Sequence, residues 1–222
     1  MGFDLDGTLF DHLGSATSGV NAFFRFLGVE ASDAARALWF SAEEQGYEQW
    51  RSGRMSFQGQ RRYRLEIVLP AVGVALPDSP GGLDALFEDY LRQYESAWRA
   101  FPEAANVLAS LRREGMRLGI LTNGSQEQQT AKLRAIGLFD MVDVICTAET
   151  LGIWKPDRRA FEALAEQLGV PPAECLFVGD HPAQDILGAT SAGMSAVLVD
   201  HYGEHAKGLE SAIDRSITAF QG

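Results

Sequence analysis

The chain has 222 residues, 46% hydrophobic and 22% charged, which suits one or two folded domains and excludes disorder, collagen and a disulfide-built miniprotein. Its formal net charge of −11 repels phosphate backbones and anionic headgroups, so nucleic acid and membrane are excluded as expected partners. A small anionic ligand stays open, because a metal or a few cations can invert the local field.

The N-terminus, MGFDLDGTLF, has acids within its first residues and no basic segment, so no signal peptide is expected. Residues 2–6 predict a short first strand. Residues 13–98 then show no convincing strand. Val20, Phe23, Phe24 and Leu27 form one helical stripe, and Leu83, Leu86, Phe87, Tyr90, Leu91, Tyr94 and Trp98 a longer one. The most apolar run, residues 67–77, is about half the length of a membrane span.

From residue 99 the pattern alternates. Short apolar runs at 116–124, 142–147, 174–180 and 195–200 end in polar residues or glycine and predict strands. Between them lie helical periods: Ala104, Val107, Leu108 and Leu111; Leu133 and Ile136; Phe161, Leu164 and Leu168. Alternation of this kind predicts right-handed βαβ crossovers and a parallel sheet with helices on both faces. The helical block reads as an insertion after the first strand, which divides the chain into 1–12 with 99–222 and an inserted 13–98. Cys146 and Cys175 each sit in a strand-like apolar run without zinc-site spacing, and read as buried, reduced thiols in a cytoplasmic protein.

Four polar segments fall at carboxyl ends of predicted strands, the edge where open α/β sheets bind ligands. They are Asp4-Leu5-Asp6-Gly7-Thr8, Leu121-Thr122-Asn123-Gly124, Trp154-Lys155-Pro156-Asp157 and residues 179–185, which include Asp180, His181 and Asp185. Phosphoryl transfer needs a nucleophile, a proton donor, charge neutralisation and donors for the phosphoryl oxygens. Asp4 and Asp6, two apart, start from the same side of a strand end. Thr122 offers a hydroxyl, and the Asn123-Gly124 turn offers amides ahead of a helix. Lys155 is one of only three lysines (Lys132, Lys155, Lys207) among 19 basic residues. Asp180 and Asp185 suit a hard divalent cation.

Each segment alone also has a plain structural reading. The Asp-x-Asp and the Thr-Asn-Gly read as turns, and Lys155 as a surface lysine before a helix. Asp180 reads as a helix N-cap, Asp185 as a first-turn acid and His181 as a loop residue.

It is their joint order that counts. In it the chain resembles the haloacid dehalogenase-like (HAD) hydrolase superfamily: residues 4–8 stand at the first motif, Thr122 at the second, Lys155 at the third, Asp180 and Asp185 at the fourth. The resemblance covers essentially the whole chain. It implies a Rossmann-like α/β core with an inserted α-helical cap over residues 13–98, and an Mg2+-dependent phosphatase acting on a small phosphorylated metabolite. It further implies that Asp4 is the nucleophile of an aspartyl-phosphate and Asp6 the general acid and base. Thr122, Asn123 and Lys155 would hold the phosphoryl group. Asp4, the Asp6 carbonyl, Asp180 and Asp185 would hold the metal, and residues 7–13 would be the hinge and flap.

One departure stands out: only Met1, Gly2 and Phe3 precede Asp4. The expectation is a natural start upstream of this Met, with upstream residues raising the melting temperature. In the helical block, Arg51, Arg54, Arg61, Arg62 and Arg64 stand among Tyr47, Trp50, Phe57 and Tyr63. They read as arginines on solvated faces around an aromatic interior, ahead of a basic pocket for the leaving group. Within the superfamily, Asp6 speaks against dehalogenation, and the absence of lysine from residues 13–98 speaks against a Schiff-base phosphonate hydrolase. A phosphomutase and a non-catalytic binding member are the alternatives. The physiological substrate and the oligomeric state stay open.

Overall fold

A computed structural model describes residues 1–203 and 208–213; Lys207 lies outside them. The chain divides into two compact units, Leu13–Ala97 and Met1–His12 with the chain from Trp98 onward. No helix among the described residues is long and apolar enough to cross a membrane.

The second of these units is built on a parallel five-stranded sheet in the order β3-β2-β1-β4-β5. The strands are β1 (Gly2–Phe3), β2 (Gly119–Thr122), β3 (Val144–Thr147), β4 (Leu176–Gly179) and β5 (Ser195–Leu198). Phe3 stands between Ile120 of β2 and Val178 of β4. The first strand ends at Phe3, earlier than the expected Asp6, because the chain turns there: the amides of Thr8, Leu9 and Phe10 all bond back to the Leu5 carbonyl. β1 is central, and the connections leave it for opposite sides, which opens a crevice at the carboxyl edge.

The crossovers carry α5 (Ala104–Arg113), α6 (Gln126–Ala135), α7 (Ala148–Leu151), α8 (Arg158–Leu168) and α9 (Gly188–Ser191), the last preceded by a π-helical turn, Pro182–Leu187. α8 starts on Asp157, whose carboxylate accepts the Arg159 amide at 3.0 Å. It buries Phe161, Leu164 and Leu168 against the sheet, with Phe161 edge-on to Phe177 at 4.9 Å. Both cysteines are buried and unpaired, and burial pushes the Cys146 thiol up to about 11.

Residues 7–12 and 98–101 run side by side. Phe10 bridges Ala100, the Asp11 amide donates to the Arg99 carbonyl at 3.0 Å, and the Phe101 amide donates to the Leu9 carbonyl at 3.0 Å. His201 stacks on Phe101 with ring centres 3.4 Å apart, and Tyr202 hydrogen-bonds the Asp11 carboxylate.

The helical unit comprises α1 (His12–Phe26), α2 (Asp33–Arg51), α3 (Phe57–Ala71) and α4 (Pro80–Ser96). Ser32, Ser56 and Ser79 accept backbone amides in the first turns of α2, α3 and α4. Its interior is aromatic: Phe23, Phe24, Trp39, Phe87, Tyr90 and Tyr94 are buried, with Trp39 and Tyr90 centred 4.5 Å apart. The stripe read through Trp98 stops short, since α4 ends at Ser96. Of the arginines expected to be solvated, Arg51 and Arg54 are exposed, Arg62 is half-buried, and Arg61 and Arg64 are drawn inward. Arg61 lies over Phe57 and Phe87, and Phe57, expected in the interior, is itself exposed. Arg64 is only 2% exposed, bonded to Glu43 at 2.7 Å and lying over Trp39 and Phe87.

Candidate active site

Asp4 follows β1, Thr122 ends β2 and Asp180 follows β4, and these share an edge because the strands are parallel and in register. Lys155 does not sit at the strand end that the sequence suggests: α7 separates it from β3, and it reaches the cluster from the loop before α8. The Asp4 amide donates to the Val178 carbonyl at 2.9 Å, which ties the first segment to the fourth.

The centre is a buried trio. Lys155 Nζ donates to Asp4 Oδ1 at 2.5 Å and to Asp185 Oδ1 at 2.7 Å. Asp4 Oδ2 is buried and meets no hydrogen-bond donor among the described residues. Asp4, Asp180 and Asp185 each bring a carboxylate oxygen within 4.8 Å of the others. Burial, and then the charges of Asp185 and Asp180, push the Asp4 carboxyl up to about 8 against the pull of Lys155. Asp180 is exposed at the rim of the cluster, and there partial desolvation of its carboxyl, with the Asp185 charge, pushes it up to about 6. Burial disfavours the Lys155 ammonium, but Asp4 and Asp185 outweigh it and raise its proton affinity.

One ammonium thus faces three carboxylates, and one buried oxygen lacks a partner. These residues fit a hard divalent cation: oxygen donors only, with negative charge in excess. Gly7 makes the approach of Asp180 feasible. Its φ is +91°, and a Cβ built there would lie 2.2 Å from Asp180 Oδ2.

Asp6 sits apart from this trio, with its side chain 29% exposed. Lys132 Nζ donates to Oδ1 at 2.5 Å and Gln129 Nε2 to Oδ2 at 2.8 Å. His12 Nδ1 stands 3.9 Å from Oδ1. Burial would raise the Asp6 carboxyl, but Lys132, with His12 and the two hydrogen bonds, holds it at about 2. Gln129 Nε2 also donates to Thr122 Oγ1 at 2.8 Å. No sequence motif marks Gln129 or Lys132. The signal available was a lysine and a glutamine beside Leu133 on the buried face of α6.

Asn123 directs its side chain to Lys155. Its Oδ1 accepts the Lys155 amide at 2.7 Å, and its Nδ2 donates to the Lys155 carbonyl and to Gln184 Oε1, each at 3.1 Å. The N-cap of the turn after β4 is His181, whose Nδ1 accepts the Ala183 and Gln184 amides at 3.2 Å, in place of the expected Asp180. That leaves the Asp180 carboxylate to the cluster. Asp185 Oδ2 accepts the His181 amide at 2.9 Å.

A family model described as haloacid dehalogenase-like hydrolase matches residues 2–193. The phosphoserine phosphatase of Thermus thermophilus is 33% identical over 178 residues, 80% of this chain and 68% of that protein. The glyceraldehyde 3-phosphate phosphatase of Methanothermobacter thermautotrophicus is 39% identical over 102 residues. That match takes in 46% of this chain and 45% of the relative, so the chain spans about half of that relative's length. In fold, the chain is similar to the HAD-hydrolase YfnB of Bacillus subtilis, whose crystal structure was determined bound to magnesium. The TM-score is 0.77 at 20% identity, over 100% of this chain and 97% of that one. With the match running from β1 through α9, the chain belongs to the haloacid dehalogenase-like hydrolases.

Proposed function

We propose that the protein is a magnesium-dependent phosphatase that hydrolyses a small phosphomonoester through an aspartyl-phosphate on Asp4. The observation that carries this reading is the state of Asp4: one oxygen held by Lys155, the other buried and unpartnered, within a cluster of three carboxylates. The relatives named for phosphoserine and glyceraldehyde 3-phosphate support the substrate class.

In the first step, Asp4 Oδ2 attacks phosphorus while the bond to the leaving oxygen breaks and Asp6 delivers a proton to that oxygen. The substrate-free Asp6 is a carboxylate, so the proton is taken up with the substrate, whose negative charge raises the proton affinity of Asp6. In the second step, Asp6 takes a proton from water, the water oxygen bonds phosphorus, and the phosphorus–Asp4 bond breaks. Inorganic phosphate leaves and the Asp4 carboxylate is restored. Thr122 Oγ1 is placed to donate to a phosphoryl oxygen, and Asn123 holds the backbone of Lys155 so that its ammonium keeps Asp4 in position. Asp4, the Asp6 carbonyl, Asp180 and Asp185 would hold Mg2+, which when bound neutralises charge between the carboxylates and an anionic substrate.

The same proposal gives Leu13–Ala97 the part of the cap, which excludes water and selects the leaving group. The two unpaired thiols support a reducing, cytoplasmic setting. Hydrolysis of p-nitrophenyl phosphate with and without Mg2+ tests the reading. Metal-dependent release that disappears in Asp4→Asn is the expected result; release undiminished in Asp4→Asn overturns it.

A further inference from the structure

We propose that Lys132 and Gln129 are positioning residues that set the Asp6 carboxylate for the water-activating step. The proposal rests on the phosphatase reading above and deepens it.

Gln129, Lys132 and Leu133 fall at i, i+3 and i+4 on α6, and all three are buried. Two polar side chains thus occupy a face that apolar residues would fill more cheaply, since replacing a buried ion pair by packed hydrophobic residues is often neutral or stabilising. What this face gains is geometry. Each Asp6 oxygen has its own donor, Lys132 on Oδ1 and Gln129 on Oδ2, so the carboxylate is fixed in rotation as well as position. The Gln129 amide also reaches Thr122 Oγ1. One side chain therefore sets the distance between the acid–base group and a phosphoryl-binding hydroxyl.

The sequence makes room for this arrangement. A Cβ built on Gly124 would lie 2.2 Å from Gln129 Nε2, so the glycine ahead of α6 is a space for the glutamine. The Lys132 ammonium is further placed 4.8 Å from the centre of the Phe10 ring, which faces it with π-electron density.

The two steps respond differently to losing this clamp. With p-nitrophenyl phosphate the leaving phenolate needs no proton, so Asp4 is phosphorylated without help from Asp6. Breakdown of the aspartyl-phosphate still needs Asp6 to accept a proton as water attacks, and a base out of place by an ångström slows such a step by roughly 100-fold.

The test is stopped-flow p-nitrophenol release with Mg2+, joined to acid-quench measurement of phosphoenzyme, for wild type, Lys132→Met, Lys132→Arg and Gln129→Leu. For Lys132→Met the expected result is a stoichiometric burst, accumulated phosphoenzyme, and a steady-state kcat lower by roughly 30- to 100-fold with KM little changed. Lys132→Arg recovers to within about fivefold of wild type, because a donor is restored. A steady state within about threefold of wild type in Lys132→Met, or a slower one without a burst, overturns the proposal. If Lys132→Met does not fold, Gln129→Leu, which removes no charge, decides by the same criterion. Asp4→Asn separates the two levels: wild-type turnover without Asp4 sinks the phosphatase reading itself, whereas turnover that needs Asp4 but ignores Lys132 sinks only this inference.

Discussion

The two units handle charge in opposite ways. In Leu13–Ala97 the arginines that are drawn inward each meet one acid: Arg64 with Glu43 at 2.7 Å, Arg62 with Asp84 at 2.5 Å, Arg61 with Glu88 at 3.7 Å. In the α/β unit the single Lys155 ammonium is shared by Asp4 and Asp185, with Asp180 alongside. Charge matched one to one needs nothing further and holds helices in place. Charge left in deficit inside the protein is costly, and is retained where an ion or a reaction supplies the balance. The deficit marks the Asp4 cluster in particular, since Asp6, matched one to one by Lys132, shows that a paired charge can also belong to the site.

Substitutions can break that contrast. Asp4→Asn removes the deficit and the proposed nucleophile together, so kcat should fall by roughly 10^4-fold or more. The metal-free melting temperature should hold or rise, and a fall would place Asp4 among the scaffold charges. Arg64→Met strands Glu43 and should cost about 3 kcal/mol in urea denaturation, with Glu43→Gln/Arg64→Met nearer to wild type. Magnesium-dependent kcat should be unchanged in whatever fraction folds.

The third test is pH. Without metal, Asp4 and Asp180 titrate near 8 and 6 in the folded chain, above ordinary carboxylates. Groups with raised folded pKa values contribute stability that is full below about pH 4 and is lost as pH rises through 6 to 8. Magnesium binds the ionised forms and releases their protons. The gain in melting temperature on adding Mg2+ should thus be larger at pH 8 than at pH 6, and calorimetry in two buffers should detect proton release. A gain independent of pH would remove the metal from this cluster. The smallest effects belong to alanine at Arg51, Arg54, Arg61 and Arg62. Relative rates over a panel of sugar phosphates, nucleotides, phosphoglycolate and flavin mononucleotide should be unchanged; melting temperatures should hold at Arg51 and Arg54 and fall modestly at Arg61, which lies over Phe57 and Phe87, and at Arg62, which is bonded to Asp84. A reordered panel would make one of these arginines a substrate contact.

Much of this was legible in the sequence because parallel strands put their ends in one line. Once residues 2–6, 116–124 and 174–180 read as strands, Asp4, Thr122 and Asp180 had to share an edge. Lys132 and Gln129 were not legible for a physical reason: a search for helical period counts apolar side chains, and on α6 the buried face is carried largely by polar ones. The roles inside residues 179–185 were blurred likewise. A composition of His, Pro and Asp does not say which of them caps the turn, and here the imidazole does, which leaves the carboxylates to one another. Arg64 reads as solvated in sequence because its partner, Glu43, is on the neighbouring helix and not within one helical turn.

The pairing of residues 7–12 with 98–101 has an architectural consequence. The chain departs from the sheet and returns to it at adjoining positions, joined by the Asp11–Arg99 and Leu9–Phe101 hydrogen bonds. Whatever lies between closes a loop whose ends already meet, and each doubling of such a loop costs only about 0.6 kcal/mol. The sheet is thus indifferent to the size of its guest. A chain with residues 13–97 replaced by a short glycine–serine turn should therefore keep the sheet folded, as circular dichroism and a urea melt would show.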